Sequence, residues 1–203
     1  LAKKTIDVLK TMKEKDEEKF LELYKEFGPL LKEGVANDAA NRDKLLSLLL
    51  FPSSNDPEKK TTLAEYVARM KDDQKEIYYL AGEARDVVAH SPHLEAFLKK
   101  GFEVLYFVDP IDEFMVESIP EFEGKALKSI GKGSVELGTD EEKKALEDTQ
   151  RNFEALLKAV QKELDEHVKE VRVSNRLTES AVCLVSDEFN MSPHIERMMR
   201  QNK

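Results

Sequence analysis

Four histidines, a single cysteine and a handful of close acidic or basic pairs are the side chains here with the means to do chemistry. His90 and His93 stand three apart, a spacing that would suit a metal ion if both lay on one helical face. Pro92 sits between them and spoils that face, so a solvated helix junction is the plainer reading. Cys183 alternates with Val182 and Leu184 as in a strand, and no His or Asn stands beside it to activate a nucleophile. A buried thiol fits better. Asp112 and Glu113 are adjacent on a helix, so their carboxylates point about a hundred degrees apart and do not easily share a substrate atom. They suit the positive end of a helix dipole. Gly131-Lys132-Gly133 lacks the spacing of a phosphate loop, and no G-x-G-x-x-G follows a strand. Arg172 and Arg176 could bind an anion, although pairing with local acids is the plainer role. The sequence therefore leads us to expect no catalytic group, cofactor or metal in this chain.

Two apolar features remain. Residues 190–203, "NMSPHIERMMRQNK", place Met191, Ile195, Met198 and Met199 at i, i+4, i+7 and i+8 of a helix. Earlier, Phe114 and Met115 lie between Glu113 and Glu117. Methionine is flexible and polarizable, so a Met-rich surface repacks against many partners. Ordinary core is the competing reading of both stripes. It is weaker for the last helix, since little chain follows to cover it.

The elements that must position these residues follow from composition and pattern. Among 203 residues, 40% are hydrophobic and 36% charged, enough for a packed core beneath long solvated helices. A net charge of -9 argues against nucleic acid or an anionic membrane as a main partner. The apolar run "LLSLLLF" (45–51) is far shorter than the roughly 20 residues a membrane helix needs. A lone Cys183 excludes an internal disulfide framework and fits a reducing compartment. The chain starts "LAKKTIDVLK" and ends "RMMRQNK", without initiator Met, signal-peptide core or helix stop, which reads as an internal piece of a longer protein.

The pattern predicts helices over 2–15 and from Asp16 to a break or kink at Gly28-Pro29, then another over 41–51. A loop follows at 52–60, then a helix opened by the capping box Thr62/Glu65. "EIYYLAG" (76–82) and "FEVLYFV" (102–108) read as strands with two short helices between them, which implies a right-handed parallel crossover. "IDEFMVESI" is the next helix, and "KALKSIGKG" (125–133) suits a further strand. A linker at 131–138 leads to a second capping box, Thr139/Glu142, and one long helix over 140–167. Residues 168–174 and 180–186 read as two antiparallel strands, and Ser192-Pro193 starts the last helix. The fold class is thus mixed α+β. It comprises a helical connector, a small α/β/α layer unit with a parallel crossover, then a long helix with a small antiparallel sheet and an amphipathic helix.

Taken together, "YVARMKDDQKEIYYLAGE" (66–83), "SPHLEAFLKKGFEVLYFVDPIDEFMV" (91–116), "EFEGKALKSIGKG" (121–133) and "VKEVRVSNRLTESAVCLVSDEFNMSPHIERMMR" (168–200) resemble the heat shock protein 90 family of dimeric, ATP-driven chaperones, and its bacterial branch more than the eukaryotic one. The likeness runs in order along essentially the whole chain. It implies that 1–55 is the helical connector of the family's middle segment, 56–134 its small α/β/α part, and 135–203 the start of its C-terminal domain. It further implies that the nucleotide site with ATP and Mg, the arginine that completes it and the dimer helices belong to other parts of the parent. This stretch would then be non-catalytic and would link the ATPase half to the dimerisation half. The family's client-binding surface, carried over by motif, gives Glu113, Phe114 and Glu117 on one helix and Met191, Ile195, Met198 and Met199 on another. The implied partners are unfolded or partly folded client proteins, a second copy in the full-length dimer, and co-chaperones; the implied setting is the cytoplasm under stress. Two rivals stand beside it: a helical adaptor with one fixed partner, and a small α/β enzyme using the end of strand 102–108.

Overall fold

A computed structural model describes residues 2–188 and 190–201. Helix α1 (Ala2–Lys15) turns at Asp16, whose side chain accepts the Lys19 N–H and caps α2 (Glu17–Asn37). The break expected at Gly28-Pro29 does not occur: α2 continues through Pro29. A proline inside a helix costs about 3 kcal/mol. The buried stripe Phe20, Tyr24, Leu31 and Val35 more than offsets it. Gly28 lies against the Tyr24 ring, where an added Cβ would come within 2.9 Å.

The helix expected over 41–51 is cut to α3 (Arg42–Leu46). Leu48, Leu49, Leu50 and Phe51 are all buried in succession, which no single helical face achieves. The chain therefore extends into β1 (Phe51–Pro52), which pairs antiparallel with β2 (Lys60–Thr61). Tyr24 fixes this passage: its hydroxyl donates to the Leu50 carbonyl and accepts the Leu50 N–H.

Thr62 and Glu65 form the expected capping box on α4 (Leu63–Arg69). Strand β3 (Ile77–Ala81) then leads through α5 (Arg85–Ala89), a single 3-10 turn (Pro92–Leu94) and α6 (Glu95–Lys99) to β4 (Leu105–Phe107). β4 lies parallel to β3, as the crossover required. Helix α7 (Ile111–Ser118) and β5 (Glu121–Phe122) follow, and β6 (Lys125–Ser129) lies parallel to β3 on its other side. The sheet order is β4-β3-β6-β5. Its faces alternate as the pleat dictates. Ile77, Tyr79, Leu105 and Phe107 join one core with α1, α2 and α7, where Tyr79 stacks on Phe107 at 4.5 Å. Tyr78, Leu80 and Tyr106 face the other core, with Val88, Phe97 and Phe102.

The later segments depart further from the expectation. Residues 131–138 are not a free linker, because Val135 and Leu137 are buried in the second core. The long helix is two, α8 (Asp140–Asn152) and α9 (Glu154–Glu163), with the break at Phe153. Neither contributes a fully buried residue, so no core contact holds them in line. Residues 168–174 and 180–186 form no strand pair. One parallel bridge, Lys132 to Ser186, is their only ladder contact among the described residues. Val182 and Leu184 are 79% and 80% exposed, so the alternation that suggests a strand finds no core. Cys183 is half-buried rather than enclosed. The last described element is α10 (Pro193–Gln201).

Candidate functional site

The two helices singled out by their apolar stripes meet at Glu113. Helix α7 is anchored from below by Met115 in the core and by Asp112, which is fully buried. Lys32 of α2 places its ammonium 2.6 Å from Asp109 and 2.6 Å from Asp112. The Asp109 N–H donates to Asp112 at 3.0 Å, and Lys32 Nζ stands 5.1 Å from the centroid of the Phe51 ring. Burial raises the Asp112 carboxyl above its ordinary range and outweighs the pull of Lys32. For Lys32 burial acts downward, but Asp112, Tyr24 and Asp109 together hold the amine above its ordinary value. Sequence alone suggests no more than a dipole charge for Asp112. The signal that could have found its role is Lys32, eight residues beyond Tyr24 on the buried stripe of α2, where a cation needs a buried carboxylate.

With α7 fixed, Glu113 turns sideways. It pairs with Lys132 at 3.1 Å and accepts both the backbone N–H and the hydroxyl of Ser192. Ser192 Oγ in turn accepts the Ile195 N–H, which caps α10. One carboxylate thus joins α7 to the start of α10. On the outer side of α7, Phe114 is 47% exposed and Glu117 is exposed. The expected four-residue stripe is cut short, because α10 begins at Pro193 and leaves Met191 exposed before the helix. Within α10, Ile195 is 2% exposed and belongs to the packing, Met198 is half-buried, and Met199 is exposed.

The segment that carries α10 is held by side chains in place of a sheet. Arg176 is buried and donates to the carbonyls of Lys132 and Gly133. The expected pairing with a local acid gives way here, because two backbone oxygens already take its N–H groups. Arg172 also reaches Gly133, and Asn175 donates to Val135. Glu95 on α6 accepts N–H groups from Thr178, Glu179 and Ser180, which draw its carboxyl down to about 2. Farther back, the Tyr66 hydroxyl donates to Glu103 and accepts from Gln74 and Tyr78, tying α4 to the edge of the sheet.

His90 and His93 do not form a pair. The His90 ring meets the Asp86 carbonyl, while His93 is turned inward, where burial and Arg176 lower its pKa. Among the described residues no three His, Cys, Asp or Glu side chains are grouped as a metal ion would need. Burial pushes the Cys183 thiol up, away from the reactive thiolate. Among the described residues no helix is long and apolar enough to cross a membrane.

The family model described as Hsp90 protein matches residues 1–203. The chaperone protein HtpG of Frankia casuarinae is 49% identical over 98% of this chain, and that of Geobacter sulfurreducens 48% over 98%. The chain covers 31% and 32% of those two proteins, so it spans about a third of the length of the curated relatives it matches. A solved structure described as the middle domain of a Plasmodium falciparum putative heat shock protein aligns with a TM-score of 0.62 at 36% identity, covering 65% of this chain and 55% of its own.

Proposed function

Because the chain belongs to the Hsp90 protein family, we propose that it works as a non-catalytic part of an ATP-dependent chaperone, presenting surface to unfolded or partly folded client proteins and linking the ATPase half to the dimerisation half. In this reading 1–55 is the helical connector and 56–134 the small α/β/α part of the middle segment, and 135–203 begins the C-terminal domain. ATP and Mg bind in another part of the parent, which self-associates, meets co-chaperones and works in the cytoplasm.

The observation that carries the reading is the junction at Glu113. It holds α7 and α10 together while Phe114, Glu117, Met191 and Met199 stay outward. Exposed aromatic and Met side chains on and just before helices joined in this way give a surface that many sequences can bury. The surrounding charge keeps such a patch soluble. Two copies in a dimer would raise the effective concentration of the patch without new contacts.

The test is binding of a fluorescent, locally unfolded model protein to this chain without nucleotide. Comparison is with Phe114→Ser and with a Met191, Met198, Met199→Ser variant, each checked for fold by circular dichroism. Weak, broad binding that drops at least about fivefold in both variants, on the order of 1 kcal/mol, is expected. Unchanged binding in both sinks the client-surface reading. Tight one-to-one capture of a single partner favours the adaptor instead.

A further inference from the structure

Helix α7 reads IDEFMVES, and its apolar residues do not select a single inward face. The observed face buries Asp112 and Met115, with Val116 packed beside them and Ile119 buried just past the helix end. A roll of about 100°, the step of one residue, would turn Ile111, Phe114 and Met115 inward instead. That second face carries no charge, and it buries an aromatic ring in place of a carboxylate. The ring is the largest apolar side chain of α7. Apolar burial alone therefore favours the rolled helix. The structure has the opposite arrangement, with Phe114 outside and Asp112 fully buried.

Lys32 accounts for the difference. It belongs to α2, the helix packed against α7, and is itself buried. Its ammonium lies 2.6 Å from Asp109, just before α7, and 2.6 Å from Asp112, in the first turn. Asp112 also accepts the Asp109 N–H at 3.0 Å, so the cluster grips the start of the helix at two points. Rolling α7 would carry Asp112 out to water and leave Lys32 in the core with Asp109 alone, at the cost of a half-paired buried charge. Buried ion pairs contribute little net stability, and their best-attested use is to fix register. The roll would also swing Glu113 away from Lys132 and Ser192. The rotation of α7 thus decides both whether Phe114 faces outward and whether α10 is held.

We propose that Lys32 is a positioning residue: its contacts with Asp109 and Asp112 lock the rotation of α7 and so keep Phe114 outward as client surface. The role of Phe114 rests on the client reading above; the lock is a property of the fold alone. It works by exclusion. Any rotation that buries Phe114 separates Lys32 from Asp112, so the apolar gain of the ring is always set against an unmatched buried charge.

The chain contains no tryptophan, so Phe114→Trp places a single fluorescent reporter at the position in question. The full 203-residue chain carries it in four backgrounds. With no other change, the emission should be that of a solvent-exposed indole, readily quenched by acrylamide. With Lys32→Met, Asp112 loses its partner and moves to water, so the emission should shift to the blue and quenching should fall severalfold. With Lys32→Met and Asp112→Leu together, the observed face becomes apolar throughout, and the exposed signal should return. With Met115→Ala, the observed face loses its buried methionine while the lock stays, and the indole should remain exposed. A residue that only added stability would leave a looser, more exposed indole on removal, never a protected one. An exposed indole in Lys32→Met that circular dichroism shows to be folded, or a protected one in Met115→Ala, overturns the proposal; should Lys32→Met not fold, the Met115→Ala arm decides. Client capture is read separately with Phe114 in place: Lys32→Met should weaken it at least about fivefold, as Phe114→Ser does. A protected indole with unchanged capture upholds the lock and overturns the client reading. An exposed indole, with capture lost only in Phe114→Ser, does the reverse.

Discussion

Lys32 is 2% exposed and bridges Asp109 and Asp112, so its charge is matched where it cannot be hydrated. Removing one partner leaves the other ionised in a core, which costs far more than the pair contributes. Lys32→Met should lower stability by about 3–5 kcal/mol, read from the urea midpoint. The loss should change with pH. Asp112 already titrates above its unfolded value of 3.8, and without Lys32 it titrates higher still. A carboxyl raised on folding removes stability as pH climbs from the unfolded value through the folded one, so the variant should be least impaired in acid. Adding Asp112→Leu should recover most of the loss, since an apolar pair replaces a buried ionic one at little cost. If the single variant melts like wild type at neutral pH, the ion pair is not what seats α7.

Helix α10 is a mixed element, and its residues should separate by experiment. Ile195 is buried behind the Ser192 cap and Met199 is exposed. Ile195→Ala should cost about 2 kcal/mol or more, whereas Met199→Ser should stay within about 0.5 kcal/mol. Thermal melts of the two variants check this, and equal shifts would place the whole stripe in packing. The contrast explains why a regular i, i+4, i+7, i+8 spacing is not by itself a docking face. The spacing would put four side chains on one stripe, but the helix starts only at Pro193, which leaves Met191 outside it, and the neighbour decides how far along the rest the core extends. Here Ser192, held by Glu113, brings the first turn inward, and the later turn runs out past it.

Across the molecule, residues up to 137 share two cores on either side of one sheet, while α8 and α9 contribute no fully buried residue. Regions with few buried contacts open first. Limited chymotrypsin digestion should therefore cut first near Phe153, Leu156 or Leu164, all exposed, and leave a resistant product ending near residue 138. Mass spectrometry of the early fragments checks it, and a first cut between 77 and 130 would contradict it. Such a division suits a linking role, with a rigid body joined through compliant helices to a clamp built by Arg176, Asn175 and Glu95.

Some of this was written in the chain. The capping boxes at Thr62 and Thr139, the Asp16 cap, the strand at 77–81 and its parallel partner were legible, because caps and apolar runs act through neighbours in sequence. So were the apolar positions of α7 and α10. Only the tertiary structure decided the rest. Pro29 stays helical because burial of its helix face outweighs a local penalty. Residues 168–186 give up their strand pattern because distant side chains satisfy backbone N–H groups in another way, Gln150 taking that of Val173 and Glu95 those of Thr178, Glu179 and Ser180. The Lys32 cluster and the Glu113 junction join residues 77 and 79 positions apart, and no local pattern encodes a contact of that span.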